Sequence, residues 1–266
     1  MKLTIATWNI NSLRLRRGHL AKLVASLAPD VICLQETKVP DELFPEDVAA
    51  EIGFPHVIKR GMKGYNGVAV FSRVKMSLVE GMPDWCGKGD CRHLAVRLDV
   101  PGGLVLHDFY VPAGGDVPDR AVNEKYGHKL DFVAQARAHF AALRPKRSVL
   151  VGDLNIAPLE HDVWSHKQLL DVVSHTPPET EGLNAWMAEG WTDALRHFVP
   201  ADEKLYTWWS YRNRDWEASN RGRRLDHIWV SDDLAGGLVN HKILREARNW
   251  EQPSDHVPVA VTLALT

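Results

Sequence analysis

The chain has 266 residues, 45% hydrophobic and 25% charged, with a formal net charge of −2 and three cysteines. That is enough apolar material for one large α/β core, while the longest apolar runs fall well short of the ~20 residues a membrane-crossing helix needs. Met1-Lys2 leads straight into a strand-like run without a signal-peptide pattern, and Cys33, Cys86 and Cys91 form no Cys-x-x-Cys pair. A disulfide framework and a thiolate zinc site are therefore disfavoured, although an oxidised Cys86–Cys91 loop stays open. A cytoplasmic location is expected, nucleoid-associated in a prokaryote.

Apolar patterning predicts a strand over 3–9, a helix over 18–28, a strand over 31–35 and a short helix near 46–52. Strands follow near 55–59, 67–72, 76–80, 93–99 and 104–110. The clearest helix is 119–143, bracketed by Pro118 and Pro145, with Tyr126, Leu130, Val133, Phe140 and Leu143 on one face. A strand at 148–152 leads into a helical, loop-rich stretch from 159 to 197. Strands near 205–209, 224–230, 239–244 and 257–263 close the chain. Pro177-Pro178 and Gly236-Gly237 read as turns. Many strands, too few helices for simple βαβ alternation and no internal linker point to one domain, residues 1–266, with two packed sheets flanked by helices.

Four short strings place acidic or amide side chains beside strand ends: Trp8-Asn9, Gln35-Glu36-Thr37, Gly152-Asp153-Leu154-Asn155 and Ser254-Asp255-His256. Taken singly, Asp153 reads as a turn cap, Glu36 as a solvated carboxylate and Asn9 as a turn former. Together they read as one acidic cleft. Oxygen donors suit a hard divalent cation, and a His with its own Asp can handle a proton or an anionic oxygen. Asp226 is informative alone, because a carboxylate inside the apolar run Leu225–Val230 is costly unless it is paired or metal-bound. Tyr110, at a strand end before Pro112, reads first as a core-edge residue, and His93, His107 and His227 as structural.

Between Lys204 and Arg224 lie six basic residues (Lys204, Arg212, Arg214, Arg221, Arg223, Arg224) against Asp215 and Glu217, interleaved with Trp208, Trp209 and Trp216. Indoles are usually core, but among arginines they can also stack on bases or wedge into a groove. Arg14, Arg16 and Arg17 could touch phosphates or form a solvated face.

Thr7-Trp8-Asn9-Ile10-Asn11-Ser12-Leu13-Arg14, Leu34-Gln35-Glu36-Thr37-Lys38, Gly67-Val68-Ala69, Tyr110-Val111-Pro112, Gly152 to Pro158, Tyr206-Thr207-Trp208-Trp209, Arg224-Leu225-Asp226 and Ser254-Asp255-His256 occur in that order over almost the whole chain. In this set the chain resembles the exonuclease III branch of the endonuclease/exonuclease/phosphatase superfamily. The resemblance implies a four-layer αββα sandwich of two mixed sheets, as in deoxyribonuclease I. It also implies metal-dependent hydrolysis of duplex DNA at abasic sites and blocked 3′ ends, by a monomer. On this pattern Glu36 would bind Mg²⁺ or Mn²⁺ with help from Asn9 and Asp255. Asp153 would activate water, with Asn155 and Tyr110 on the phosphate or nucleophile, and His256 would be held by Asp226 and donate to a phosphate oxygen. Arg14, Arg92, Trp208, Arg212, Arg221, Arg223 and Leu225 would face DNA. Two departures stand out: Ala113 replaces the amide residue usual after Tyr110-Val111-Pro112, and Arg223 stands where an apolar wall residue is common. An inositol or lipid phosphoesterase and a non-catalytic DNA-binding scaffold are the competing expectations.

Overall fold

The computed structural model describes residues 1–266. Its first half contains β1 (Lys2–Asn9), α1 (Leu13–Leu27), β2 (Val31–Gln35), α2 (Asp47–Glu51), β3 (His56–Arg60), β4 (Val68–Ser72), β5 (Met76–Leu78), β6 (His93–Leu98) and β7 (Leu104–Tyr110). Next come α3 (Glu124–Leu143), β8 (Ser148–Asp153), α4 (His166–Leu169), α5 (Pro177–Met187), β9 (Trp191–Asp193) and α6 (Ala194–Phe198). The chain ends with β10 (Trp208–Trp209), α7 (Trp216–Ser219), β11 (Gly222–Arg223), β12 (Asp226–Ser231), β13 (Leu238–Ile243) and β14 (Val259–Ala264). Two six-stranded mixed sheets result, ordered β13-β14-β1-β2-β4-β3 and β5-β6-β7-β8-β12-β9, with β10 and β11 forming a separate ribbon.

The sandwich follows from central strands that are apolar on both faces. Along β1, Leu3 and Ile5 point between the sheets while Ala6 and Trp8 pack beneath α1; β2 repeats this with Val31 and Cys33 against Ile32 and Leu34. In the second sheet Val149, Val151, Ile228 and Val230 face inward, while Leu150 and Trp229 meet α3 and α5. The layers are therefore helix, sheet, sheet, helix. No helix is long and apolar enough to cross a membrane.

Several element ends differ from the sequence reading. Helix α1 begins at Leu13 because Arg16 is buried and donates to the carbonyls of Ile10, Gln252 and Pro253, which anchors the first turn. Helix α3 starts only at Glu124, where Asn123 caps it by accepting from the Lys125 N–H; the residues before it form turns. Leu143 is exposed, and the buried face instead includes Lys129. Pro177 is no turn residue but opens α5, where its missing N–H costs nothing, within a Thr176/Glu179 capping box. Gly236-Gly237 closes a 3-10 turn, and the 205–209 strand shrinks to Trp208–Trp209 in the ribbon. Cys86 and Cys91 are free.

Register gathers the motif-bearing strand ends. Strands β1 and β2 run parallel with Asn9 opposite Gln35, so Glu36 follows at the same edge. Strands β7 and β8 run parallel with Tyr110 opposite Asp153, and antiparallel β12 sets Asp226 opposite Asp153 from the other side. Strand β14 is antiparallel to β1, so the segment entering it arrives at the end of β1, where the Ser254 hydroxyl donates to the Asn9 carbonyl (2.7 Å). Gly152 has φ +137°, and a Cβ there would lie 1.9 Å from the Phe109 carbonyl oxygen. Only glycine permits the approach of β7 and β8 that sets Asp153 beside Tyr110.

Candidate active site

Asp226, fully buried, accepts from the Thr207 hydroxyl (2.6 Å) and from His256 Nδ1 (2.9 Å) through the same Oδ2. The far ring nitrogen of His256 faces Asp153 Oδ2 at 3.6 Å, too long for a hydrogen bond, which leaves its N–H for an incoming oxygen. Burial alone would push the imidazole down, but the charges of Asp226 and Asp153 outweigh it and raise its pKa. Asp153 is buried as well, and burial with the charge of Asp226 raises it against the pull of His256. The chain Asp226–His256–Asp153 thus holds a cation between two acids and keeps Asp153 ready to take a proton.

Asn9 joins this chain to Glu36: its Nδ2 donates to Asp153 (2.9 Å) and to Glu36 Oε1 (2.9 Å). The Tyr110 hydroxyl donates to the same Glu36 oxygen (2.8 Å), and Lys38 pairs with Oε2 (2.9 Å). Burial would raise the Glu36 carboxyl, yet Lys38 and the hydrogen bonds from Asn9, Lys38 and Tyr110 hold it below the usual range. Glu36 sits at φ +50° and Asn155 at φ +54°. Non-glycine residues in the left-handed region cost energy and concentrate at functional sites. Asn155 donates to the Val111 carbonyl (2.8 Å) and to Asp153 (3.1 Å), bracing the acid.

Oxygen donors dominate, as a hard cation requires. Donor atoms of Asp153, Asp226 and His256 lie within 4.8 Å of one another; Glu36 stands outside that trio and is tied to it through Asn9. Asp226 Oδ2 and His256 Nδ1 are already committed to each other. Asn9 turns its amide N–H toward both acids, and its oxygen accepts from the Asn11 N–H (3.1 Å). Asp255 accepts from the Trp208 indole (2.9 Å) and from Asn11 (3.1 Å), while Lys38 donates to Asn11 (2.6 Å), so Asp255 reaches Glu36 only through that relay.

A cleft of about 730 Å³ opens over these groups, walled by Trp164, Leu169, Val173, Trp208 and Leu225, with Arg212, Arg221 and Arg223 along it and Ala113 in its lining. The other basic candidates divide. Arg14 is exposed on the first turn of α1, outside the cleft lining. Arg16 is internal glue, and Arg17 pairs with Asp47 and Glu51. Arg92 lies over the Tyr110 ring at 4.8 Å and pairs with Asp90, so it braces Tyr110. Arg224 is fully buried against Asp162 and Asp193 and adds nothing to a surface field. Trp209 and Trp216 are buried against each other, so of the three indoles in the basic run Trp208 reaches the cleft, where it joins Trp164. Sequence reasoning assigned no role to Thr207, Lys38, Asn11, Lys129 or Trp164. Thr207, Lys38 and Asn11 lie in the motif strings, but their partners, up to 244 residues away, were not visible, and Lys129 and Trp164 lie in no motif at all.

A two-sheet sandwich that gathers acids, an amide and a charged histidine at strand ends over an arginine-lined cleft defines a hydrolase of phosphate esters. Residues 6–256 match the Endonuclease/Exonuclease/phosphatase family, and the chain belongs to that family. It is 32% identical to the exodeoxyribonuclease III of Haemophilus influenzae over 263 residues, 95% of this chain and 97% of the relative. An AP endonuclease from Archaeoglobus fulgidus superposes with a TM-score of 0.89 at 31% identity, covering 99% of this chain and 100% of that one. A 3′ phosphatase from Neisseria, solved with a product DNA hairpin, superposes with a TM-score of 0.89 at 29% identity and the same coverage.

Proposed function

We propose that the protein is a DNA repair phosphodiesterase of the exonuclease III kind. Residues 1–266 act as one monomeric catalytic domain on duplex DNA, as 3′→5′ exonuclease, abasic-site endonuclease and 3′-end phosphatase. The observation that carries the reading is the Asp226–His256–Asp153 chain joined through Asn9 to an anionic Glu36 in one cleft. Glu36, helped by Asn9 and Asp255, would hold Mg²⁺ or Mn²⁺, which would supply Lewis-acid charge to the phosphate and the departing 3′ oxygen.

The chain's own groups do the rest. Asp153, raised by burial and its acidic neighbours, takes the proton of the attacking water. His256 donates its free N–H to the phosphate oxygen on which negative charge grows, and Asp226 keeps that imidazole charged and aimed. Tyr110 turns its hydroxyl from Glu36 toward the phosphate, and Asn155 holds Asp153 for the water. Asp255 fixes the Trp208 wall by accepting from its indole N–H. Arg212, Arg221, Arg223, Trp208 and Leu225 line the path of the DNA, and Arg14 extends it outside the cleft. Ala113 offers the phosphate no side-chain donor, which lowers turnover on every substrate, while Arg223 in the wall where an apolar residue is common disfavours abasic cutting relative to 3′ trimming.

Digestion of an end-labelled duplex carrying one abasic site and one recessed 3′ phosphate tests this. Metal-stimulated products of the expected sizes support the reading, and no cleavage of either lesion with any divalent metal overturns it.

A further inference from the structure

Residues 221, 223 and 225 alternate through the ribbon strand β11 and the positions flanking it, and all three line the cleft, in keeping with period-two geometry. Leu225 belongs to the apolar floor. Arg221 is exposed over the Trp164 ring (4.7 Å), and Arg223 lies half-buried between them over the Trp208 ring (5.3 Å). Arg223 spends only Nη1, on the Val173 carbonyl (2.9 Å) and the Ser174 hydroxyl (2.7 Å); its Nε is buried without a partner. No carboxylate pairs with it. Glu179, whose charge reaches it, is committed to Lys129 at 2.5 Å. The next residue shows the contrast: Arg224 is a structural arginine and is fully met by Asp162 and Asp193. A largely buried guanidinium lacking a counter-ion is costly, and its unused planar fork matches a carboxylate or phosphate.

Trp208 bridges to His256 on one side and pairs with Arg223 on the other. Arg223 is thus two strands from the imidazole, a backbone separation of ~10 Å at the usual strand spacing. A long side chain can cover much of that distance.

We infer that this recess receives an anionic group at a blocked 3′ end of DNA, a terminal phosphate or the carboxylate of a phosphoglycolate, in preference to the neutral sugar of an abasic site. The inference rests on the nuclease reading and adds Arg223 as the residue that selects the end. Water forms the new bond to phosphorus, the bond from phosphorus to the 3′ oxygen breaks, the water's proton passes to Asp153, and the departing 3′ oxygen takes a proton from solvent to become a hydroxyl while Asp153 returns its own to solvent. Inorganic phosphate or phosphoglycolate departs from beside Arg223, whose charge offsets the additional negative charge that these ends carry.

The test compares kcat/KM of the wild type on four duplexes with 3′-phosphate, 3′-phosphoglycolate, 3′-phosphoethanol and internal tetrahydrofuran lesions, and repeats it with Arg223→Leu and Arg223→Lys. Phosphoethanol keeps the diester and lacks the carboxylate. The wild type should cleave phosphoglycolate at least tenfold better than phosphoethanol. Arg223→Leu should lose that preference, falling at least tenfold further on phosphoglycolate than on tetrahydrofuran, and Arg223→Lys should restore part of it. Equal rates for the two diesters in the wild type overturn the inference without any variant having to fold. A uniform loss on all four substrates in Arg223→Leu also overturns it, assigning the residue to structure. Wild-type inactivity on every substrate would instead remove the nuclease reading itself.

Discussion

Replacing Asp226 by Asn isolates the source of the charge on His256. Oδ2 accepts from both Thr207 and His256 while Oδ1 has no partner, so an Asn with its oxygen in the Oδ2 position keeps both hydrogen bonds while the charge is removed. Burial lowers the His256 pKa, and Asp226 is the largest influence raising it. Without that charge the imidazole sheds its proton at lower pH. Removing one preorganised donor of this kind costs about 10²–10³ in kcat, or ~3–4 kcal/mol. The assay is kcat on an abasic duplex from pH 5.5 to 9.5. The wild-type alkaline limb should lie above the ordinary histidine range, and the variant's limb should move down, with the deficit growing as pH rises. A deficit that is the same at every pH, or a limb that does not move, would refute the argument that Asp226 acts through the charge of His256.

Two further outcomes follow from the packing. Lys129 and Glu179 are fully buried, and Lys129 also donates to the carbonyls of Asn155 (2.8 Å) and Ala113 (3.2 Å), which pins two cleft segments to α3. Lys129→Met should cost ~3–5 kcal/mol by urea unfolding, with part recovered on adding Glu179→Gln; a loss below about 0.5 kcal/mol contradicts this. Burial lowers His107 to about 3 and His227 to about 4, both below the ~6.5 of an unfolded chain. Within that window the unfolded chain binds more protons, so stability is full above it and falls as pH drops. The wild-type urea midpoint should fall further, or rise less, between pH 7 and pH 5 than that of His227→Gln, and an identical pH dependence in the two would show that this histidine is not held neutral.

The sheets were legible because strands buried on both faces read as apolar, β-branched runs, as in Val31–Leu34 and Val149–Val151. Helix starts were not, because they are set by side chains from elsewhere: Arg16 reaching Gln252 and Pro253 begins α1 early, and Asn123 delays α3. At the site, acid-bearing strings after strands pointed to the residues that share the cleft. Their supports were hidden, since Thr207 under Asp226 and the Asn11 link from Lys38 to Asp255 join segments whose proximity no local pattern encodes. The basic run misled in part. Arg224 looks like Arg223 in sequence, yet one is a buried tie and the other lines the cleft.

The account stands on Glu36 and Asp153 serving one hydrolytic centre while the arginine-lined walls bind DNA independently. Duplex affinity and single-turnover cleavage of an abasic duplex in Mg²⁺, measured side by side for the wild type, Glu36→Ala and Asp153→Ala, test it most directly. Both variants should keep affinity within a few-fold and lose at least three orders of magnitude in cleavage rate. Cleavage at the wild-type rate in either variant would contradict the assignment.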